Sequence, residues 1–151
     1  MKAPYEGGCT CDAVRYRCDA PPFVAYTCHC LACQHLTSSA FATCMHVPTE
    51  ALAVTRGSPA SFDRIADSGN ALTTSLCAAC GSALFVANAS RPRTRTIYVG
   101  TLDRAAEVAV DAHIWVKRKL PWVHLPEQHR TFEGQGDWTE DYARDPSRYR
   151  P

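Results

Sequence analysis

Seven of the chain's nine cysteines fall into three short groups, and their spacing constrains the fold more than any other feature. The groups are Cys9-x-Cys11, Cys28-x-Cys30-x-x-Cys33 and Cys77-x-x-Cys80. In an extended segment, residues i and i+2 face the same side, so a C-x-C pair can present two sulfurs to one ion. A C-x-x-C pair does the same around a tight turn, and Gly81 can take the positive φ by which the chain leaves that turn. The sequence therefore predicts bound zinc, which accepts thiolates at about 2.3 Å in tetrahedral sites.

Seven thiolates divide naturally into four and three. Four close a structural zinc site, whereas three leave one position free, as in catalytic zinc centres. The simplest division joins the first and third groups in one site and leaves the middle group as a local triplet, although spacing alone does not fix which groups combine. The ligands would then be Cys9, Cys11, Cys77 and Cys80 in one site and Cys28, Cys30 and Cys33 in the other.

Other interpretations of the cysteines and histidines are weaker. A thioredoxin-type dithiol at Cys77 and Cys80 would need a helix after it, but a turn and then a strand are predicted there. Cys18 and Cys44 lie in strand-like segments and are interpreted as small buried hydrophobic residues. The histidines that could complete the triplet are each interpreted as ordinary polar residues rather than ligands; they are His29, His35, His46 and His113.

Composition bounds the class of protein. A chain of 151 residues, 46% of them hydrophobic, suits one domain with a buried core. Sixteen Lys and Arg against fifteen Asp and Glu give no electrostatic argument for a nucleic acid or an anionic membrane as partner. There is neither an apolar run long enough to span a membrane nor a signal peptide at the start. We therefore expect a cytoplasmic protein with reduced thiols, and nine cysteines could not all pair in any case.

Short segments rich in β-branched and aromatic residues predict a mainly β fold with few short helices. Predicted strands cover residues 14–18, 41–47, 52–55, 61–65, 72–76, 84–87 and 96–102, and short helices are possible at 34–38 and 102–107. A turn cluster at 67–70 predicts a hairpin between 61–66 and 71–77. Residues 1–134 are expected to form the zinc-binding domain, and residues 135–151 a polar extension. The basic run at 91–95 is interpreted as a solvated loop, and Trp115 and Trp122 as core or lid residues.

The three cysteine groups, in this order, resemble the glutathione-dependent formaldehyde-activating enzyme family, which also includes centromere protein V. The segment at 100–103, Gly-Thr-Leu-Asp, resembles that family's G-T-L-D, and His113-Ile114-Trp115 followed by residues 119–122 resembles its C-terminal half. The resemblance extends over about residues 5–134. The position after the middle cysteine group is often Arg in the family and is Gln34 here.

The resemblance implies a β-tent of packed antiparallel sheets around zinc, with the four-plus-three division of ligands given above. The second zinc, at the middle group, would be exchangeable or catalytic. The implied activity is that of a carbon–sulfur lyase acting on a glutathione-like thiol and a small aldehyde, with S-hydroxymethylglutathione as the adduct. The alternative is a non-catalytic zinc scaffold that binds glutathione or a protein partner. A methionine sulfoxide reductase on a similar scaffold would need a reactive cysteine among Cys18 and Cys44, neither of which has an activating neighbourhood.

Overall fold

The chain forms two β-sheets in the computed structural model, which describes residues 2–136. Most of the predicted polar extension at 135–151 lies outside the described residues. The strands are β1 (Tyr5–Gly8), β2 (Arg15–Cys18), β3 (Val24–Cys28), β4 (Ala42–Pro48), β5 (Leu52–Arg56), β6 (Ala60–Ile65), β7 (Ala71–Leu76), β8 (Ala83–Asn88), β9 (Thr94–Tyr98), β10 (Ala112–Ile114) and β11 (Arg130–Phe132). The helix α1 covers Leu31–Thr37, and 3₁₀ turns cover Thr49–Ala51, Val99–Thr101, Ala105–Glu107 and Val116–Arg118.

The sheets differ in size. One has three strands in the order β1-β2-β5, and the other has eight in the order β11-β10-β3-β4-β9-β8-β7-β6. Neighbouring strands are antiparallel except that β10 runs parallel to both β3 and β11. The prediction of a mainly β fold with few short helices is confirmed, and these two parallel pairings are an addition to the expected antiparallel sheets.

Strand β4 lies at the centre of the core. Four consecutive residues of β4 are buried, because both faces of the strand are covered. Met45 and Val47 pack into one apolar cluster with Ile97, while Cys44 packs into the second cluster with Tyr26. Because successive side chains of a strand point to opposite faces, this one segment contributes residues to both apolar clusters.

The predicted hairpin is present. Strands β6 and β7 pair from Ala60 opposite Leu76 to Ile65 opposite Ala71. Gly69, at φ +81°, supplies the left-handed turn conformation that glycine adopts most readily. Strand β6 is the edge of the large sheet and is exposed along most of its length, with Arg64 half-buried.

Four of the strands were not predicted from the sequence, and one strand was predicted to be longer than it is. β1, β10 and β11 have only three or four residues, and β3 is buried throughout, so none of them shows a clear alternation. The strand predicted at 96–102 ends at Tyr98, because Val99–Thr101 turns into a 3₁₀ helix. The helix predicted at 34–38 begins earlier, at Leu31. Within residues 2–136, no helix has the length and apolar character needed to cross a bilayer.

Truncating the core should be far more costly than truncating the sheet edge. Met45 is fully buried, so Met45→Ala is expected to lower the free energy of unfolding by about 2–5 kcal/mol. Ile65, which is 68% exposed, serves as the control, and Ile65→Ala should change that free energy by about 0.5 kcal/mol or less. Urea unfolding of both variants measures the difference. Equal effects would contradict the assignment of β4 to the core.

Candidate metal centre

Cysteines from two distant segments meet between the sheets. Cys9 and Cys11 follow β1 of the small sheet, and Cys77 and Cys80 follow β7 of the large sheet. The four sulfur atoms lie within 4.8 Å of one another, and we call these residues the four-cysteine cluster. The Sγ atom of Cys11 is 3.6 Å from that of Cys9 and 3.7 Å from that of Cys77.

These distances match those of sulfurs that share one ion. Two thiolates held at about 2.3 Å by one tetrahedral ion lie about 3.8 Å apart, whereas a disulfide would place them at about 2.05 Å. All nine cysteines are free. Hydrogen bonds shape the local backbone, since the Val14 amide donates to Cys9 Sγ at 3.2 Å and the Gly81 amide to the Cys77 carbonyl at 2.8 Å. The cluster could therefore hold a metal ion.

The middle group forms a second convergence of sulfurs. Cys28 ends β3, Cys30 is the N-cap of α1 and Cys33 lies in its first turn. Their sulfurs are also within 4.8 Å of one another, and all three residues are buried. The Cys33 amide donates to Cys30 Sγ at 3.4 Å, so the sulfur replaces the usual oxygen of a helix cap. We call these residues the cysteine triplet.

The packing of thiols within the triplet favours one thiolate. Hydrogen bonds from the Cys28 and Cys33 thiols lower the pKa of Cys30 to about 3. The same contact with Cys30 raises the pKa of Cys28. Cys30 is therefore the triplet cysteine that ionises most readily, and a bound cation would draw the remaining protons from its neighbours.

Within residues 2–136, no histidine joins either cysteine group, but three histidines form a chain of hydrogen bonds beside the triplet segment. His29 is fully buried, and its Nε2 lies 2.9 Å from the hydroxyl of Thr27. That hydroxyl is also 2.6 Å from Nδ1 of His113, whose Nε2 is 3.0 Å from Nδ1 of His129. A threonine hydroxyl carries one hydrogen, so Thr27 donates to one imidazole and accepts from the other. This chain of hydrogen bonds ties β3 to β10.

Gln34 has a structural role in this chain. Its Nε2 donates to the carbonyls of His29 at 2.7 Å and of Arg118 at 2.9 Å. The amide therefore fastens the start of α1 to the turn at Val116–Arg118. A guanidinium at this position would add a positive charge that Gln34 does not supply.

A cavity of about 90 Å³ opens beside the triplet. All three triplet cysteines line it, and no member of the four-cysteine cluster does. Its polar and aromatic walls include Tyr26, Cys44, His46, Arg64, Asp67, Asn88, Arg91, Tyr98 and Trp115, and its apolar walls include Leu72, Val86 and Ile114. The triplet is thus the cysteine group with space for a small molecule next to it.

Two neutral groups face each other in this cavity. The Tyr26 hydroxyl lies 2.8 Å from Nε2 of His46, and the two rings meet edge to face. Burial, assisted by the charge of Arg91, lowers the pKa of His46 to about 3, while burial raises the pKa of Tyr26. Both side chains are therefore uncharged at neutral pH.

Sequence reasoning did not identify most of the cavity residues. The alternation of side chains along a strand could have indicated two of them. Tyr26 lies on the same strand face as Cys28, and His46 lies on the same face as Cys44. Arg91 lines the cavity, so the solvated-loop interpretation of residues 91–95 is wrong for this arginine.

The positions of four further residues can be compared with their predictions. Trp122, predicted as a core or lid residue, is 67% exposed and so lies outside the core, while Trp115 lines the cavity. Cys18 and Cys44 are buried, as predicted.

The buried His46 should make stability depend on pH. The pKa of His46 is about 3 in the folded chain and about 6.5 in the unfolded chain. On acidification the unfolded chain therefore binds a proton at His46 that the folded chain does not bind. Stability should therefore fall as the pH drops from 7.5 to 5.5, and His46 should account for about 1.4 kcal/mol of that fall. His46→Gln should remove this part, as measured by urea unfolding at both pH values. Metal-linked effects cancel in the comparison, since both proteins carry the same cysteines; identical pH dependence would contradict a neutral buried His46.

Comparisons with known proteins agree with this arrangement. Residues 4–118 match the family model described as glutathione-dependent formaldehyde-activating enzyme. A crystal structure of a Rhodobacter sphaeroides protein is similar in fold, with a TM-score of 0.54 and 21% sequence identity over 66% of this chain and 88% of that one. A comparison with curated proteins found no significant match. Because the family model spans most of the chain and includes all three cysteine groups, the protein belongs to the glutathione-dependent formaldehyde-activating enzyme family.

Proposed function

We propose that the protein is a zinc-dependent enzyme of the carbon–sulfur lyase type, which forms or cleaves the adduct of a glutathione-like thiol and a small aldehyde. S-hydroxymethylglutathione is the model adduct. The observation that carries this proposal is that the cysteine triplet lines a cavity to which the four-cysteine cluster contributes no residue. Three protein sulfurs leave a coordination position free, and the cavity gives that position room for a substrate.

Zinc suits both groups of residues. Thiolates are soft ligands that select zinc among the common divalent ions, and the sulfur separations in the four-cysteine cluster match a tetrahedral site. We assign Cys9, Cys11, Cys77 and Cys80 to a structural zinc. The second zinc would be held by Cys28, Cys30 and Cys33 alone, so partial occupancy is expected there.

The reaction joins a thiol sulfur to the carbon of an aldehyde. Bound at the triplet, zinc would supply the Lewis acidity that keeps a substrate thiol deprotonated at neutral pH. Addition forms one carbon–sulfur bond, and the proton lost by the thiol ends on the aldehyde oxygen as a hydroxyl. Cleavage reverses both changes, so the chain must place a proton carrier at that oxygen.

Tyr26 is suited to carry this proton. With His46 as the Nε2–H tautomer, the imidazole donates to the phenol oxygen, and the phenol hydrogen, which is shared with Cys44, can pass to the aldehyde oxygen. Because the pKa of Tyr26 is raised, the phenol keeps its proton until the oxygen of the aldehyde gains negative charge. The apolar side chains of Leu72, Val86 and Ile114 line the same cavity and reduce the access of water to the reacting atoms.

The rival function is a non-catalytic zinc scaffold that binds glutathione or a protein partner. Such a scaffold would keep its fold and metal but give no turnover. A cytoplasmic location would suit either function, since it keeps the thiols reduced. We propose neither a nucleic acid nor a membrane as a partner, because the net charge of +1 is close to neutral.

The two cysteine groups should respond differently to substitution. We expect about two zinc ions per native chain and about one in a folded Cys28→Ser variant, because the four-cysteine cluster stays intact. Cys77→Ser should give a poorly folded product, because it removes the link between the two sheets. Elemental analysis and circular dichroism of the three proteins test this. Loss of both ions from a folded Cys28→Ser protein would refute the assignment of two independent sites.

Removal of the Tyr26 hydroxyl should slow the chemistry and spare the metal. Tyr26→Phe is expected to lower kcat by about 10²–10⁴-fold with unchanged zinc content, because the aldehyde oxygen loses its proton donor. The rate of carbon–sulfur bond formation from glutathione and formaldehyde is measured above the spontaneous rate. Tyr16→Phe is the matched control, since Tyr16 is equally buried but bonds Thr101 outside the cavity. If the native protein does not raise the rate of carbon–sulfur bond formation above the spontaneous rate, the proposed enzyme activity is refuted. Full activity in Tyr26→Phe would refute only the role of Tyr26.

A further inference from the structure

One charged side chain in the cavity hydrogen-bonds Tyr98 but lacks partners for the rest of its guanidinium. Arg64 comes from the exposed edge strand β6, yet its side chain lines the cavity beside the triplet. Two of its three guanidinium nitrogens, Nε and Nη1, are shielded from water and make no hydrogen bond. None of the ion pairs described for residues 2–136 includes Arg64.

This arrangement is unfavourable for the ligand-free protein. A guanidinium keeps its charge at any physiological pH, so it cannot relieve the loss of hydration by releasing a proton. Buried donors without partners are rare in folded proteins, and a charged donor is the most costly kind. An anion bound in the cavity would supply the missing acceptors.

The surroundings of Arg64 point to an anionic group on the substrate. Apart from the cysteines and His46, the ionisable side chains of the cavity with a charge at neutral pH are Arg64, Arg91 and Asp67, two cations against one anion. The guanidinium hydrogen-bonds the side chain of Tyr98, and both residues line the same cavity as the triplet. A molecule whose sulfur reaches the triplet can therefore bring a second group to Arg64.

We propose that Arg64 binds a carboxylate of the substrate, so that the cavity selects thiols bearing a carboxylate over neutral thiols. Carboxylates suit this site because guanidinium N–H groups form short, charge-assisted hydrogen bonds with them. Arg64 is then a specificity-determining residue rather than a catalytic one. The inference rests on the proposed function, because it assumes that the sulfur of the substrate lies at the triplet.

Calorimetric titration of the zinc-loaded protein with two matched thiols tests the proposal. 3-Mercaptopropionate and 3-mercaptopropan-1-ol share their thiol and chain length but differ in the carboxylate. The native protein should bind the carboxylate about tenfold more tightly or better, which is the size of one charge-assisted hydrogen bond. Arg64→Gln should reduce this preference to about threefold or less and leave the affinity for the alcohol within about twofold.

Two further variants isolate the effect of position from that of charge. Arg93→Gln removes the same charge from an exposed residue of the 91–95 run that does not line the cavity, and it should keep the full preference. Arg64→Lys keeps the charge and should keep part of the preference, which also guards against a misfolded Arg64→Gln protein. Zinc content and circular dichroism check that each variant is folded.

The outcomes separate this inference from the proposed function. If both thiols bind the native protein equally, or if Arg64→Gln weakens the binding of both by the same factor, Arg64 does not recognise a carboxylate. The inference is then overturned, but the proposed activity on thiols is not. If neither thiol binds a fully zinc-loaded native protein, the proposed function and the inference fail together. A preference that persists in folded Arg64→Gln would also overturn the inference.

Discussion

The arrangement of the two sheets is constrained by the convergence of four sulfur atoms from segments far apart in the chain. Cys9 and Cys11 leave the three-stranded sheet, and Cys77 and Cys80 leave the eight-stranded sheet, yet their sulfurs lie within 4.8 Å of one another. A hydrogen bond from the Thr10 amide to the Ser82 hydroxyl at 3.2 Å joins the same two segments. An ion bound here would cross-link the sheets, much as a disulfide closes a long loop, and would make folding depend on metal.

The second group of cysteines has a different relation to the fold. The triplet spans six residues of one segment, and it needs no other strand to bring its sulfurs together. Its surroundings, by contrast, come from many strands: β3 and β4 supply Tyr26 and His46, and β6 supplies Arg64. The local spacing of cysteines thus provides the candidate metal ligands, and the tertiary fold provides the space and the polar groups next to them.

This difference explains how far the sequence could predict the site. The mainly β class, the β6–β7 hairpin and the cysteine triplet follow from short-range patterns, which operate over two to four residues. The joining of Cys9 and Cys11 with Cys77 and Cys80 was predicted instead as the simplest division of seven ligands and from the family resemblance. The cavity does not, because Arg64 and His46 are separated by much of the large sheet and meet the triplet only through strand order. Strand β3 was missed for a related reason: it is buried on both faces, so Val24 to Cys28 lacks the polar alternation that marks a strand.

In the proposed function, chemistry and specificity are carried by separate parts of the chain. The Tyr26–His46 pair lies on buried strands at the centre of the large sheet, and the triplet begins at the end of β3 and continues into α1. All of these residues are buried, so a change in volume there disturbs close packing. Arg64 lies on an edge strand whose other side chains are exposed, with a hairpin turn nearby. Substitutions on β6 can alter the charge at the cavity wall at little cost to the core, whereas changes in β3 or β4 affect the core itself. The edge hairpin is thus the element through which a chain of this fold can change which thiol it accepts while keeping the same sulfur chemistry.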